Sequence, residues 1–209
     1  MTGVQTCALP ILSISAYENA NSAAERRLLV NEEKQTQVWI SDLLGIIPSI
    51  TGKIELVYEG EQEGPYQVAM NLLDRAIRAQ FITYFTNPEL LKKKKNQQAG
   101  ATENPYRSIL SRFDKGNTLN LLFQLPDAQK LAELYKVDGL HALVKKYYKQ
   151  ANERETGLLM EFVLFGLATF SLISKKMVEG KIEFKDLMGS MLNLETNGAS
   201  ATEEEEDFS

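Results

Sequence analysis

The stretch that decides the fold is GLLMEFVLFGLATFSLIS, residues 157–174, the one strongly apolar run in the chain. A helix that spans a bilayer needs about 20 predominantly apolar residues. This run is shorter, is interrupted by Gly157 and Gly166, and carries the charged residue Glu161. A helix that is apolar on most sides but too short for a membrane is typical of a protein core. The sequence therefore predicts a buried helix here and no membrane segment.

Outward from this run, the spacing of apolar residues predicts further helices on both sides. In the first of them, Ile14, Tyr17, Asn21, Ala24 and Leu28 lie on one stripe at spacings of three and four, which predicts an amphipathic helix. The predicted helices are 12–30, one that follows Ser41 as N-cap and ends before Pro48, 66–85, 106–115, 127–136, 139–150, 153 to about 178, and 184–192. Residues 53–56 fit either a short strand or the tail of a helix. Because we find no repeat and no strand ladder long enough for a sheet, the predicted fold class is all-α.

Changes in composition divide the chain into segments. Residues 87–104 contain four consecutive lysines followed by small polar residues, which bury too little apolar surface to order themselves, so we predict a flexible linker. This linker would separate residues 12–86 from a helical C-terminal domain at 105–193. The acidic run at 203–207 predicts a solvated, disordered tail over residues 194–209.

The first eleven residues, MTGVQTCALPI, contain the only cysteine, Cys7, and a proline, Pro10. They match the translation of a widely used sequencing adapter, with a GTG start codon read as Met. A flexible native terminus is the alternative, and a secretory signal is disfavoured because no Lys or Arg precedes Arg26. We hypothesise that residues 1–11 are an assembly artefact, that the gene was cut there, and that Leu12 is the first or second native residue.

Composition narrows the class of protein. Without residues 1–11 the chain has no cysteine, which excludes disulfides, zinc–thiolate clusters and thiol catalysis and favours a cytoplasmic location. The net charge is −5, with part of it in the tail, and no sizeable basic face is left to bind nucleic acid.

Few residues offer chemistry. His141 is the only histidine, so a metal site or catalytic role is disfavoured relative to packing. Glu59, Glu61 and Glu63 lack the ligand spacing of a calcium loop and fit a solvated loop that contacts a basic partner. The lysines at 92–95 lack interleaved aromatic residues and are typical of linker charge rather than of a phosphate site.

Arg26 and Arg27 are adjacent on the first predicted helix, so their side chains point about 100° apart and at most one could face a nucleotide. Salt bridging, for example between Arg26 and Glu33 or Asp42, is the favoured interpretation. The chain contains no phosphate-loop, dinucleotide-binding or nucleophile-elbow motif. The residues alone therefore indicate a soluble helical protein with no catalytic site residues of its own.

Residues 13–65 resemble the C-terminal lid of AAA+ ATPases of the magnesium chelatase ATPase-subunit type, which include MoxR-like ATPases and a bacterial branch labelled sigma-54-interacting regulators. The resemblance lies in the order of AAERR at 23–27, Val38, and SDL at 41–43. The rest of the chain, to residue 174, resembles the helical C-terminal extension of the same branch. The family's sensor-2 arginine would fall at position 11, where this chain has Ile11.

This resemblance implies that the intact protein binds ATP and Mg²⁺ between its own N-terminal ATPase domain and the lid, with neighbouring subunits of a ring completing the site. Hydrolysis would swing the lid, and the extension would contact a partner, possibly a protein with a von Willebrand A-type domain. Insertion of magnesium into a porphyrin is less well supported. The present chain alone would bind no cofactor and hydrolyse no ATP.

Two other functions stay open. The chain could be a stand-alone helical adaptor that binds protein, or a helix-turn-helix transcriptional regulator, although no basic recognition helix is visible. A phosphate loop encoded about 200 to 300 residues before Leu12 would identify the ATPase, whereas a native start near Leu12 would identify the adaptor.

Overall fold

A computed structural model of the protein describes residues 8–53, 63–95 and 104–187, with the backbone alone for residues 8–10 and 92–95. In chain order the elements are α1 (Ala8–Val30), a 3-10 helix (Ile40–Ile46), α2 (Ile47–Thr51), α3 (Pro65–Tyr84), α4 (Pro88–Lys95), α5 (Arg107–Asp114), β1 (Leu119–Leu122), α6 (Asp127–Tyr135), α7 (Leu140–Tyr147), α8 (Glu153–Thr169), β2 (Ser174–Val178) and β3 (Lys181–Lys185).

Helix α8 is the centre of the core, as the sequence predicts. A capping box starts it: Glu155 N donates to Asn152 Oδ1, and Asn152 N donates to Glu155 Oε2, each over 2.9 Å. Every residue from Met160 to Leu167 is buried. Such burial on all sides requires neighbours all round, and α3, α6, α7 and β2 are among the elements in contact with α8.

Two glycines let α8 come close to its neighbours. A Cβ atom at Gly166 would overlap with the ring of Phe81 on α3, and one at Gly157 would lie 2.9 Å from both Trp39 and Leu131. The glycines that break the apolar run therefore make room for large side chains in the core.

Helix α8 ends at Thr169, so the prediction of a helix to about residue 178 is wrong. Ser171 adopts a left-handed conformation with φ of 51°, and Leu172 N donates to Leu167 O over 3.1 Å. This is how a helix is commonly stopped at its C-terminus. The apolar run continues past Thr169, so the sequence pattern does not mark where the helix ends.

Residues after α8 belong to a β-sheet, so the predicted all-α fold is confirmed only in part: the described chain is mostly helical, but it also contains a small sheet that the sequence did not predict. Strands β2 and β3 are antiparallel, with Val178 opposite Lys181 across a two-residue turn that contains Gly180 at φ of 71°. Strand β1 pairs with the other edge of β3, with Leu119 opposite Phe184. The order is therefore β1-β3-β2. Phe184, predicted to start a helix, lies in β3, and residues 188–192 of that prediction lie outside the described residues.

Helix α1 begins at Ala8, before the predicted start at Leu12, with Pro10 in its first turn, where a missing N–H costs little. Its predicted stripe is only partly buried. Ala24 is 3% exposed, but Ile14 and Tyr17 are 60% and 72% exposed.

The segment after Trp39 differs from the prediction in two ways. Ser41 lies within the 3-10 helix rather than capping a helix, and Asp42 accepts a 2.8 Å hydrogen bond from Trp39 N at the start of that element. Pro48 lies in the first turn of α2, where proline is tolerated, so helical structure continues beyond it. Of residues 53–56, only Lys53 is described, in a turn.

The predicted linker contains a helix, α4, over Pro88–Lys95. Pro88 is buried and Leu91 packs against the core. The helices predicted at 66–85, 106–115, 127–136 and 139–150 are present as α3, α5, α6 and α7. Residues 96–103 and 188–209 lie outside the described part of the chain, so the rest of the linker and the tail stay predictions.

One hydrophobic cluster joins the parts of the chain on either side of the predicted linker. Trp39, Phe81, Phe113, Phe165 and Phe184 all belong to it. None of the described helices is both long enough and apolar enough to cross a bilayer. The position of the domain boundaries stays a prediction, but the described helices and the sheet share a core.

Candidate functional site

A buried cluster of charged residues lies where α1, the 3-10 helix, α6 and α8 meet. Arg27, which is 2% exposed, makes the first set of ion pairs in this cluster. Arg27 Nη2 lies 3.0 Å from Asp42 Oδ2 and donates to Gln37 O over 2.9 Å, while Nη1 donates to Asp127 Oδ1. The guanidinium group thus joins α1 to the 3-10 helix and to α6.

The salt bridge predicted at this place exists, but it uses Arg27 and not Arg26. Arg26 is exposed, whereas Arg27 turns into the protein beside Ala24 and Ala20, which are also buried. Burial by itself lowers the pKa of Arg27, yet the hydrogen bond and charge of Asp42, together with those of Asp127, outweigh it and raise the pKa. Arg27 is therefore a permanent cation held between two carboxylates.

Asp127 collects several donors at the start of α6. Its Oδ1 accepts a 2.7 Å hydrogen bond from Trp39 Nε1, and both of its oxygens lie 3.0 Å from Thr36 Oγ1. Its own backbone N donates to Glu33 Oε1 over 3.0 Å. Carboxylates at this end of a helix also interact favourably with the helix dipole, so the site favours negative charge.

A second buried ion pair lies next to the first. Lys130 and Glu161 are both fully buried, and Lys130 Nζ lies 3.5 Å from Glu161 Oε1. Lys130 Nζ donates to Ser41 Oγ over 2.6 Å and lies 5.0 Å from the centre of the Trp39 ring. Glu161 Oε2 accepts a 2.6 Å hydrogen bond from Ile40 N. The pair therefore joins α6 and α8 to the backbone of the 3-10 helix.

We call these five charged residues the buried charge cluster: Arg27, Asp42, Asp127, Lys130 and Glu161. It contains two cations and three carboxylates, so the charges nearly cancel. A buried charge is tolerated only when it is paired and hydrogen-bonded, and removing one partner of such a pair costs about 3–5 kcal/mol. The cluster thus fixes the relative positions of four elements and does not resemble a catalytic arrangement of nucleophile and base.

Two cavities flank the cluster. One of about 270 Å³ is lined by Arg26, Arg27 and Asp42 together with residues of α3 and β2. The other, of about 470 Å³, is lined by Glu33, Trp39 and Asp127 together with the first residues of α8. Arg27 is already paired with Asp42 and Asp127. Of the two arginines that line the first cavity, only Arg26 could therefore bind an anion.

The other residues considered from sequence do not join this cluster. The His141 ring packs against Tyr135, with ring centres 5.1 Å apart. Glu63 is exposed and accepts a hydrogen bond from Asn71, whereas Glu59 and Glu61 lie outside the described residues. Residues 92–95 belong to α4, but their side chains are not described. Within the described ranges, no three His, Cys, Asp or Glu side chains are grouped to hold a metal ion.

Sequence reasoning missed Lys130, which has the appearance of a surface residue on an amphipathic helix. In the sequence, Glu161 stands out only as a charged residue that interrupts the apolar run. A lone carboxylate within a core helix is itself a signal, because it requires a buried partner. The identity of that partner depends on contacts across the fold that the sequence does not show.

Comparison of the chain with models of protein families, with curated proteins and with solved structures gives no match.

Proposed function

We propose that this chain is the C-terminal lid and partner-binding part of an AAA+ ATPase that resembles the magnesium chelatase ATPase subunit. In this proposal, an N-terminal ATPase domain hydrolyses ATP, and the described helices transmit the resulting motion to a partner protein. The proposal starts from the resemblance of residues 13–65. The observation in the structure that supports it is the apolar surface of α1.

On α1, Ile14 and Tyr17 lie three residues apart and are 60% and 72% exposed. Residues three apart on a helix are neighbours on its surface, so these side chains form a continuous apolar strip. Apolar patches of this kind mark surfaces that bind another protein. A lid that packs against an ATPase domain would use such a surface.

The buried charge cluster supports the mechanical part of the proposal. Through Arg27, helix α1 is bonded to Asp42 and to Asp127 at the start of α6. A displacement of α1 would therefore carry α6 and α8 with it, as expected for a lever that moves as a unit.

The cavity beside Arg27 is a poor fit for a nucleotide. The arginine that turns inward, Arg27, is neutralised by carboxylates, and the 270 Å³ cavity beside it also contains the negative charge of Asp42. A triphosphate would meet repulsion there. ATP and Mg²⁺ would accordingly be bound by the N-terminal domain, and this chain would take part through its contact with that domain.

The experiment begins with recovery of the contiguous gene from source DNA. A phosphate loop upstream of residue 12 is expected, and the full-length product should hydrolyse ATP. The variant Ile14→Glu/Tyr17→Glu should weaken ATPase activity while the far-ultraviolet circular dichroism stays unchanged. Ile82→Glu, at a residue on α3 that is 49% exposed, is the matched control and should leave the activity unchanged.

Three results would contradict the proposal. They are a native start near Leu12 with no ATPase domain before it, ATP turnover by the present chain alone, or equal effects of the α1 and α3 variants. The first would favour the alternative, a stand-alone adaptor that binds protein. The observation that favours that alternative is a groove beside α8 that Tyr84, Leu158 and Leu159 line.

A further inference from the structure

A long groove runs between the end of α7, the first half of α8 and the side of α3. Its wider part, about 700 Å³, lies over the end of α7, and its narrower part, about 320 Å³, lies between α3 and the 3-10 helix. Tyr84, Leu158 and Leu159 line both parts. The two parts are therefore one continuous surface, which we call the Tyr84 groove.

The two ends of the Tyr84 groove differ in chemistry. The narrow part is lined almost entirely by apolar side chains, including Leu43, Leu73 and Phe162. The wide part has an aromatic wall in which the rings of Tyr84 and Tyr148 lie 6.4 Å apart. The groove thus offers an apolar anchor site next to rigid aromatic surface, a combination common where proteins bind peptides.

The rim of the wide part is basic. Lys146 and Lys149 line it, both are exposed, and neither has an ion pair within the described part of the chain. Glu155, the one carboxylate on this rim, already accepts a hydrogen bond from Asn152 N in the cap of α8. The occupant that this rim fits is therefore an acidic segment that carries an aromatic or aliphatic anchor.

We propose that the occupant is residues 203–208 of the same chain, EEEEDF. Five consecutive carboxylates would face Lys146 and Lys149, and Phe208 would enter the apolar part of the groove. Charge complementarity of this kind sets orientation and partner choice, while the buried ring supplies most of the affinity.

The chain is long enough for this contact. Strand β3 pairs at Lys185 with Ser174, just after the C-terminal end of α8. From Phe170 back to Leu158 the helix rises by about 18 Å. Residues 188–202 can span up to about 50 Å when extended. Because the segment is tethered, its effective concentration is high, and even a weak contact would be occupied.

The test uses the full chain with a nitroxide spin label on Ser209→Cys, in a Cys7→Ser background. Amide signals of Leu158 and Leu159 should lose intensity in NMR spectra, whereas the amide of Ile182 in β3 serves as the reference for an intact fold. Lys149→Glu and Phe208→Ala should each restore the lost intensity. Lys115→Glu, at an exposed lysine on the turn after α5, is the matched charge control and should leave the loss in place.

Two results would overturn the inference. One is equal intensity at Leu158 and Leu159 with the label oxidised and reduced. The other is loss that arises only when labelled and isotope-enriched chains are mixed, since the occupant would then be the tail of a second copy. The inference does not rest on the proposed function, because no nucleotide or ATPase domain enters the experiment.

Discussion

Lys130 Nζ and Glu161 Oε1 lie 3.5 Å apart at the centre of the protein, and both side chains are fully buried. Each charge is tolerated there because of the other and because Ser41 and Ile40 N supply hydrogen bonds. Removing either charge alone should therefore lower the stability of the fold. The pair also ties α6 and α8 to the backbone of the segment that follows α1.

Lys130→Met should lower the free energy of unfolding by about 3–5 kcal/mol, because it leaves the Glu161 carboxylate buried and unpaired. The double variant Lys130→Met/Glu161→Leu should recover most of this loss, since it removes both charges. Urea denaturation followed by circular dichroism measures the change. Lys136→Met, which breaks an exposed pair with Glu133, is the control and should cost less than about 1 kcal/mol. A cost for Lys130→Met as small as that of the control would contradict this account.

Arg27→Ala should also destabilise the fold by about 3–5 kcal/mol, because Asp42 would lose its cationic partner in a buried position. Arg27→Lys should recover only part of the stability, since one ammonium group cannot reproduce the fork of contacts to Asp42, Asp127 and Gln37 O. The neighbouring Arg26→Ala, at an exposed residue, should change the midpoint of denaturation little. Equal losses of stability for the two variants would contradict the assignment of the buried ion pairs to Arg27.

Gly166→Ala should destabilise the protein by about 1–3 kcal/mol or more, because the new methyl group would overlap with the ring of Phe81 in a packed core. Gly52→Ala provides the comparison. At Gly52 a Cβ atom would meet only Pro48 O, at 3.7 Å, and φ is −84°, so the substitution should be close to neutral. Thermal unfolding of the two variants side by side measures the difference. If Gly166→Ala melted at the temperature of the unaltered protein, the tight α3–α8 contact would be refuted.

Stability should fall in alkaline solution because of Tyr106. Burial, with a smaller contribution from Tyr147, raises the pKa of the Tyr106 hydroxyl above that of the unfolded chain. Above about pH 10 the unfolded state releases this proton while the folded state keeps it, so each further rise in pH favours unfolding until the folded pKa is passed. Urea denaturation between neutral pH and about pH 11 should show the decline.

Tyr106→Phe separates this effect from general alkaline unfolding. It removes the ionisable group and also the 2.5 Å hydrogen bond from the Tyr106 hydroxyl to Thr86 O, which should cost about 1 kcal/mol at neutral pH. The variant should nevertheless lose less stability than the unaltered protein as pH rises. Parallel pH dependences for the two proteins would rule out Tyr106 as the source.

The sequence was informative where one local pattern decided the outcome. The core helix α8 and the amphipathic helix α3 were both predicted, because α8 lies in a long apolar run and α3 has a wide apolar stripe. The β2–β3 hairpin was missed because the apolar run continues past Thr169, although Glu179 and Gly180 form a recognisable two-residue turn. Strand β1 has four residues and is defined by its pairing with β3, a contact between distant parts of the chain.

The buried charge cluster was predictable only in outline. A salt bridge from the first helix to Asp42 was expected, but the choice between two adjacent arginines depends on how α1 is rotated against its neighbours. The roles of Asp127 and Lys130 depend on where α6 packs, which no local pattern reveals. Contacts between distant parts of the chain therefore determine which residues join the buried charge cluster.

The strand order β1-β3-β2 has a consequence for protein synthesis. The middle strand is the last of the three to be made, so Leu119–Leu122 leaves the ribosome long before its hydrogen-bonding partner exists. Until Lys185 has emerged, neither edge of that strand is paired, which is a hazard for aggregation in a growing chain. Translation must therefore pass residue 185 before the sheet, and the core beneath Phe184, can close.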